Sequence, residues 1–179
     1  MRCIGFYIFG VMHFFRTFLH SLNPYSMVTI RKAIPSDVPT IAKFNFAMAE
    51  ETEHIQLDME RLLRGVNGLF DEPSRGFYLV ADVDGAIVGQ LMITFEWSDW
   101  RNGVFWWIQS VYVQKEFRAQ KIFRSLYDKV VSMAKAEGNV CGIRLYVEKE
   151  NGRAHHVYEK LGMTLTNYDL YEVDFVLKR

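Results

Sequence analysis

Residues Trp106–Lys135 read WWIQSVYV, QKEFRAQK and IFRSLYDKVVSMAK in succession, and the fold is decided there. In the first piece both alternating sets are largely apolar: Trp107, Gln109, Val111 and Val113 on one side, Trp106, Ile108 and Tyr112 on the other. That pattern predicts a central strand buried on both faces. The last piece repeats apolar residues at helical spacing, Ile122, Leu126, Val130 and Ala134, flanked by Phe123, Tyr127 and Val131. Gly138 offers its C-terminal stop. A short basic loop with Lys115, Arg118 and Lys121 joins the two. Strand, basic loop and helix start is a geometry that can hold phosphate. Unpaired backbone N–H groups and the positive end of the helix dipole converge on one spot.

A chain of 179 residues is long enough for one domain with its own core. With 50% hydrophobic and 15% aromatic residues it is no disordered chain. The formal net charge of +0 gives no global field that favours nucleic acid or an anionic membrane surface. Cys3 and Cys141 alone make no disulfide scaffold and fit a reducing, cytoplasmic compartment. No Cys or His spacing suggests zinc. His155 and His156 are adjacent, so on a helix they diverge rather than converge on a metal.

Residues Met1–Ser26 are aromatic-rich and lack any acidic residue. Three readings compete: a targeting or membrane segment, an amphipathic arm on the domain, or an extension upstream of a start at Met27. Arg2 before the apolar Ile4–Met12 favours the first, but His13, Arg16 and His20 interrupt the ~20 apolar residues a spanning helix needs. The extension is preferred, with a domain over residues 27–179, and membrane attachment is the lesser reading.

From Val28 the expected order is β-α-α-β-β-β-α-β-α-β-β. Val28–Ala33 is a short strand. Pro35-Ser36-Asp37 opens a helix capped by Ser36, with Ile41, Phe44 and Met48 as its buried stripe and Glu50, Glu51 and Glu53 at its close. A second, short helix spans Asp58–Val66, and a loop runs from Gly65 to Gly76. Phe77–Val83 turns at Asp84-Gly85 into a strand with Ile87, Gly89, Leu91, Ile93, Phe95 and Trp97 on one face. After the long helix come a strand with Ile143, Leu145 and Val147, then a helix capped by Asn151 and ended by Gly162. Met163–Leu165 and Leu170–Val176 read as closing strands.

Two motifs in this order resemble the GNAT family of N-acetyltransferases. The loop pattern [QR]-x-x-G-x-[GA] follows an apolar triplet: Val111, Tyr112 and Val113 fill the triplet, and Arg118 begins the loop. Lys121 stands at the first glycine and Phe123 at the last small residue. The C-terminal pattern N-x-x-A-x-x-x-Y-x-x-x-G-[FM] is met by Asn151, Ala154, Tyr158, Gly162 and Met163, after the strand IRLYVEKE. The resemblance covers the chain from Val28 onward. It implies an α/β (α+β) fold, a mixed, mostly antiparallel sheet with a splayed central strand pair flanked by helices.

It also implies acetyl transfer from acetyl-coenzyme A to an amine, without a metal. Backbone groups of Val111, Tyr112 and Val113 would pair with the pantetheine arm, and one N–H would polarise the thioester carbonyl. The pyrophosphate would lie on Arg118, Ala119, Gln120, Lys121, Ile122 and Phe123. Tyr158 is the candidate acid for the departing thiolate, with a core tyrosine as the alternative. Asn151 would orient the cofactor, cap its helix, or both.

The central strand carries no carboxylate, so Glu96 is the candidate base, with Glu51 and Glu53 as further candidates; each also reads as a solvated charge. Glu51 and Glu53 would form an acidic mouth, and Trp97, Trp100 and Trp106 an aromatic lining, for a cationic amine; ordinary packing is the plain alternative for the tryptophans. At a helix start φ is negative, so Lys121 is expected to be unstrained and to point along the cofactor channel. The acceptor is a small amine, an amino acid, a polyamine or a protein amino group, and a homodimer is open. A degenerate domain that does not catalyse is the rival reading.

Overall fold

The computed structural model describes residues 27–177; residues 1–26, read above as an extension, a targeting segment or an arm, lie outside the described residues. Among the described residues five strands form one sheet, in chain order: β1 (Val28–Lys32), β2 (Gly76–Val83), β3 (Ala86–Ser98), β4 (Gly103–Val113) and β5 (Val140–Leu145). β1 to β4 pair antiparallel and β5 joins β4 in parallel. The helices are α1 (Val38–Glu53), α2 (Met59–Asp71), α3 (Ile122–Ala136) and α4 (Gly152–Lys160).

The sheet has two covered faces. α3 lays Ile122, Leu126, Val130 and Ala134 on one, against Leu79, Leu91, Ile93, Trp106 and Ile108. These are the positions the helical spacing predicts, and each fully buried aliphatic side chain contributes about 1.5–3 kcal/mol. α1 and α2 cover the other face with Val38, Ile41, Ala42 and Val66 against Tyr78 and Val80. Gly89 is set by the approach of α3: a Cβ there would meet Ile122 Cγ2 at 3.0 Å and the Tyr112 carbonyl oxygen at 3.2 Å.

Several local expectations are corrected. No side chain caps α1, Ser36 included: a single 3-10 turn over Pro35–Asp37 leads into it, and the Asp37 carboxylate accepts the Ile34 N–H ahead of that turn at 2.8 Å. α2 continues past Gly65 and Gly68 to Asp71. Burial of Val66, Leu62, Leu63, Leu69 and Phe70 beside α1 outweighs the glycines' poor propensity, about 1 kcal/mol each. Ile87 lies on the α1/α2 face, not with Leu91, because the ladder slips between Ala81 and Asp82. β5 stops at Leu145, short of Val147.

The end of the chain also differs. Residues 163–177 form no strand, and Leu170, Tyr171 and Phe175 stand 68%, 92% and 91% exposed. Alternation marks a surface made for a ladder, and no ladder partner lies beside it among the described residues.

Candidate active site

β4 is held unevenly. Its pairing with β5 ends at Ile108↔Leu145, and β4 runs on to Val113 with no partner on that side. Burial follows suit: Gly103, Phe105, Trp106 and Ile108 are buried, whereas every residue from Gln109 to Val113 is half-exposed. The expectation of burial on both faces therefore holds only for the first half. On the β3 side one residue, Leu91, lies opposite two, Ser110 and Val111, because the register shifts between Gln90 and Met92. This is a β-bulge, and Ser110 adopts φ 49°, a conformation uncommon outside glycine. Val111 thus has a ladder partner on neither side.

Beneath the bulge is a buried polar chain. Gln90 is fully buried, and its Nε2 donates to Asn45 Oδ1 at 2.7 Å and to the Ser110 carbonyl at 3.4 Å. Asn45 Nδ2 donates to the Tyr78 hydroxyl at 3.1 Å. Burial pushes the Tyr78 phenol up, and hydrogen bonds with Asn45 and Ser110 act against it.

After β4 a 3-10 turn, Lys115–Phe117, leads into the basic loop. Ala119 and Lys121 both have positive φ, 64° and 63°. The expectation of a negative φ at Lys121 is therefore corrected: Lys121 is the cap residue, one position before α3, and the left-handed conformation there favours glycine. The Lys121 carbonyl accepts the Ser125 N–H at 3.0 Å, so the amides of Ile122, Phe123 and Arg124 open the helix without intrahelical partners. Gln120 donates to the Glu116 carbonyl at 2.8 Å.

Arg118 turns back toward α1. Its Nε donates to the Val113 carbonyl at 2.9 Å and its Nη2 to Glu51 Oε2 at 2.8 Å. Glu51 also accepts the Tyr112 hydroxyl at 2.9 Å, with Lys115 Nζ at 3.5 Å. Burial pushes the Glu51 carboxyl up, but hydrogen bonds from Arg118 and Tyr112 and the two nearby cations outweigh it and hold it below the ordinary range. Burial, then the Glu51 contact, pushes the Tyr112 phenol up. Met48, Glu51 and Thr52 of α1, Val111–Val113 and Arg118 line a cavity of about 330 Å³ here.

The remaining candidates separate. Glu96 sits opposite Phe105, where its carboxylate accepts from Arg144 Nη1 at 2.8 Å and from the Trp107 indole N–H. The Arg144 guanidinium lies 3.6 Å over the Phe105 ring, and Tyr146 stacks on Trp107 at 4.4 Å. Trp97 and Trp100, 61% and 86% exposed, mark the β3–β4 turn. Trp97 pairs with Val104, seven residues from Val111 and so roughly 23 Å along the strand. Trp106 faces the α3 side, between Phe77 and Phe95. Glu53 ends α1, two residues beyond Glu51.

Tyr158, half-buried on α4, meets Phe123 of α3, and burial alone pushes its phenol up. Asn151 caps α4, its Oδ1 accepting the Ala154 N–H at 3.1 Å. Among the described residues no group of three or more side chains is arranged to hold a metal, and no helix is long and apolar enough to cross a membrane. Sequence reasoning missed Arg144 and the chain Tyr78, Asn45 and Gln90. A glutamine inside an apolar strand and an asparagine beside Phe44 were the available signals.

These parts together can receive a phosphate-bearing, extended donor: a strand end with free amides, a helix start and basic residues around it. The family model for the acetyltransferase (GNAT) family matches residues 40–163. No curated protein matches the chain. A possible acetyltransferase from Clostridium difficile 630 is 46% identical, with a TM-score of 0.78 over 84% of this chain and 99% of that one. A predicted acetyltransferase from Clostridium acetobutylicum, solved with acetyl-CoA, is 23% identical and shares the fold, with a TM-score of 0.68 over 82% of this chain and 96% of that one. Glucosamine-6-phosphate N-acetyltransferase from Arabidopsis thaliana shares the fold at 19% identity, with a TM-score of 0.64 over 82% and 98%. With its sheet, its interrupted β4–β5 pairing and these matches, the chain belongs to the GNAT acetyltransferase family.

Proposed function

We propose that this chain transfers an acetyl group from acetyl-coenzyme A to an amine. The observation that carries the reading is the last half of β4, where Val111 has no ladder partner and the chain leads straight to the α3 start. Acetyl-coenzyme A supplies the acetyl group activated as a thioester. Val111 and Val113, with Tyr112 between them, offer backbone groups to the pantetheine amides, and an N–H there withdraws charge from the thioester carbonyl. Arg118 to Phe123 receive the pyrophosphate, with Lys121 beside it; Asn151 helps to orient the donor. Tyr158 holds a proton for the departing thiolate: a thiol of pKa about 8.5 is a stronger acid than the phenol, so Tyr158 serves first as a hydrogen-bond donor and proton relay.

The acceptor enters from the α1/α2 face. Glu53 draws a cationic amine toward the site, while Glu51 stays on the donor side, tied to Arg118 and Tyr112. Glu96, nearer the β3–β4 turn that carries Trp97 and Trp100, takes the amine's proton through water. The acceptor class stays as broad as a small amine, an amino acid, a polyamine or a protein amino group.

Lys121 at φ 63° favours a second reading, a domain of this fold that binds no donor. Calorimetry with acetyl-coenzyme A, followed by thiol release across an amine panel, decides between them. Binding with amine-dependent thiol release supports the transferase; no binding supports the degenerate domain.

A further inference from the structure

The buried polar chain under the bulge has no evident place in a core optimised for stability. Gln90 is fully buried in the middle of β3, and its Oε1 has no hydrogen-bond partner. A buried orphan acceptor is a burden that an apolar residue of the same size would remove. What Gln90 does reach is specific. Its amide nitrogen touches the Ser110 carbonyl, which belongs to the residue with φ 49°, and Asn45, whose own amide reaches Tyr78. One polar chain thereby links α1, β2 and β3 to a carbonyl of β4.

The geometry of a bulge explains why that carbonyl matters. Ser110 and Val111 share a peptide plane, since the Ser110 carbonyl and the Val111 N–H are on the same amide unit. Whatever fixes the carbonyl fixes the N–H, which points the opposite way. Val111 has no register partner on either side, so regular strand pairing does not set this plane. The 3.4 Å contact is long in the free protein, and such contacts tighten when a bound group pulls on the other end of the plane.

We propose that Gln90 is a positioning residue for acyl transfer: with Asn45 and Tyr78 behind it, its amide holds the Ser110–Val111 peptide plane and so aims the Val111 N–H. This rests on the transferase reading above, in which that N–H polarises the thioester carbonyl. Gln90 itself touches no reacting atom. Its influence passes through one peptide plane, and a misplacement of about 1 Å at a reacting centre can lower a rate 100-fold.

The test is Gln90→Met in the full chain. One unpaired buried oxygen, Gln90 Oε1, is exchanged for another, Asn45 Oδ1, so the melting temperature should move little. In the free protein the amide resonances of Ser110, Val111 and Tyr112 should shift in a proton–nitrogen spectrum, while those of Asp99–Asn102 at the far turn stay in place. By calorimetry coenzyme A should bind as before, and the added preference for acetyl-coenzyme A should shrink. Turnover should fall about 10- to 100-fold, in line with loss of a well-aimed donor to a developing oxyanion. Ser110→Gly in the Gln90→Met background should recover part of the rate, because glycine reaches φ 49° without support. A merely structural glutamine would show none of that rescue.

Wild-type turnover in Gln90→Met, or unmoved Ser110 and Val111 resonances, overturns the proposal. Should Gln90→Met fail to fold, Asn45→Leu removes the acceptor that steadies the Gln90 amide and must shift the same resonances; if it does not, the proposal falls. Should the wild type bind no acetyl-coenzyme A, the transferase reading fails instead, and the resonances still report whether Gln90 holds the bulge.

Discussion

Tyr158 meets Phe123 edge to face, with ring centroids 5.8 Å apart and planes at 69°. Phe123 occupies the small-residue position of the loop pattern, and here its ring becomes the seat for a residue on α4. Tyr158→Phe keeps that seat and removes only the hydroxyl. Turnover should fall about 10²–10⁴-fold with acetyl-coenzyme A affinity nearly unchanged. Single-turnover kinetics beside calorimetry checks this, and an unchanged chemical step removes Tyr158 from the mechanism. Phe123→Ala should lower turnover as well and cost about 1–3 kcal/mol in a denaturant titration, because the ring is partly buried against the α3 core.

Lys121→Gly separates conformation from charge. A left-handed residue with a Cβ costs about 1–2 kcal/mol, and glycine's extra unfolded-state freedom takes back about 0.4–1 kcal/mol. The variant should therefore be as stable as wild type or up to about 1.6 kcal/mol more stable. Lys121→Ala keeps the strained conformation and loses the ammonium. If the ammonium faces a pyrophosphate, acetyl-coenzyme A affinity drops in both variants at low salt, and the drop shrinks as salt rises. Equal or tighter binding in Lys121→Ala makes the lysine an obstruction.

Glu51 and Glu53 should act on different substrates. Glu51 is tied to Arg118 and Tyr112, so Glu51→Gln should raise KM for acetyl-coenzyme A, whereas Glu53→Gln should act on KM for a cationic amine. The carboxyl of Glu51 sits below its ordinary range in the folded state, so its hold on Arg118 is complete above about pH 4.3 and is lost as pH falls through the lower, folded value. Acetyl-coenzyme A affinity should stay level from neutrality to pH 5 and weaken below pH 4 in wild type more than in Glu51→Gln. Parallel pH profiles for the two proteins would sever Glu51 from the loop.

Asp37 should carry stability instead. Its carboxylate accepts Arg31 Nη1 at 2.7 Å and Nη2 at 3.2 Å as well as the Ile34 N–H. Burial pushes its carboxyl up, but the Arg31 hydrogen bonds, the Ile34 N–H and the Arg31 charge outweigh it and leave it below the ordinary range. Asp37→Asn should cost about 1–3 kcal/mol at pH 7. The contribution is present above about pH 3.9 and fades as pH falls through the folded value, so the two proteins should converge in denaturant titrations at low pH. A gap that persists at low pH assigns the loss to packing.

How much of this was legible in the sequence depends on how far each signal travels along the chain. The α3 stripe, Ile122 to Ala134, and the turn at Asp84-Gly85 are local patterns, and both stand as read. The reach of α2 was not legible, because Gly65 and Gly68 speak against a helix and only burial beside α1 decides for it. The site divides the same way. The apolar triplet and Arg118 announce themselves by spacing, but the partner of Arg118 is Glu51, 67 residues away on α1. The bulge at Ser110 is invisible to periodicity, since one extra residue changes register without changing composition. The φ of Lys121 is not legible because the residue sits one position before the helix, where helical dihedrals do not yet apply.

The pairing that ends at Ile108 divides one strand between two kinds of selection. A residue scan along β4 should show a step rather than a gradient. From Gly103 to Ile108, Trp107 beside Glu96 excepted, substitutions should register in melting temperature and leave the surviving molecules competent. From Gln109 to Val113 they should leave the melting temperature near wild type and register in rate. An engineer seeking a hardier version of this protein would work on the first six residues, and one seeking a new acyl donor on the last five.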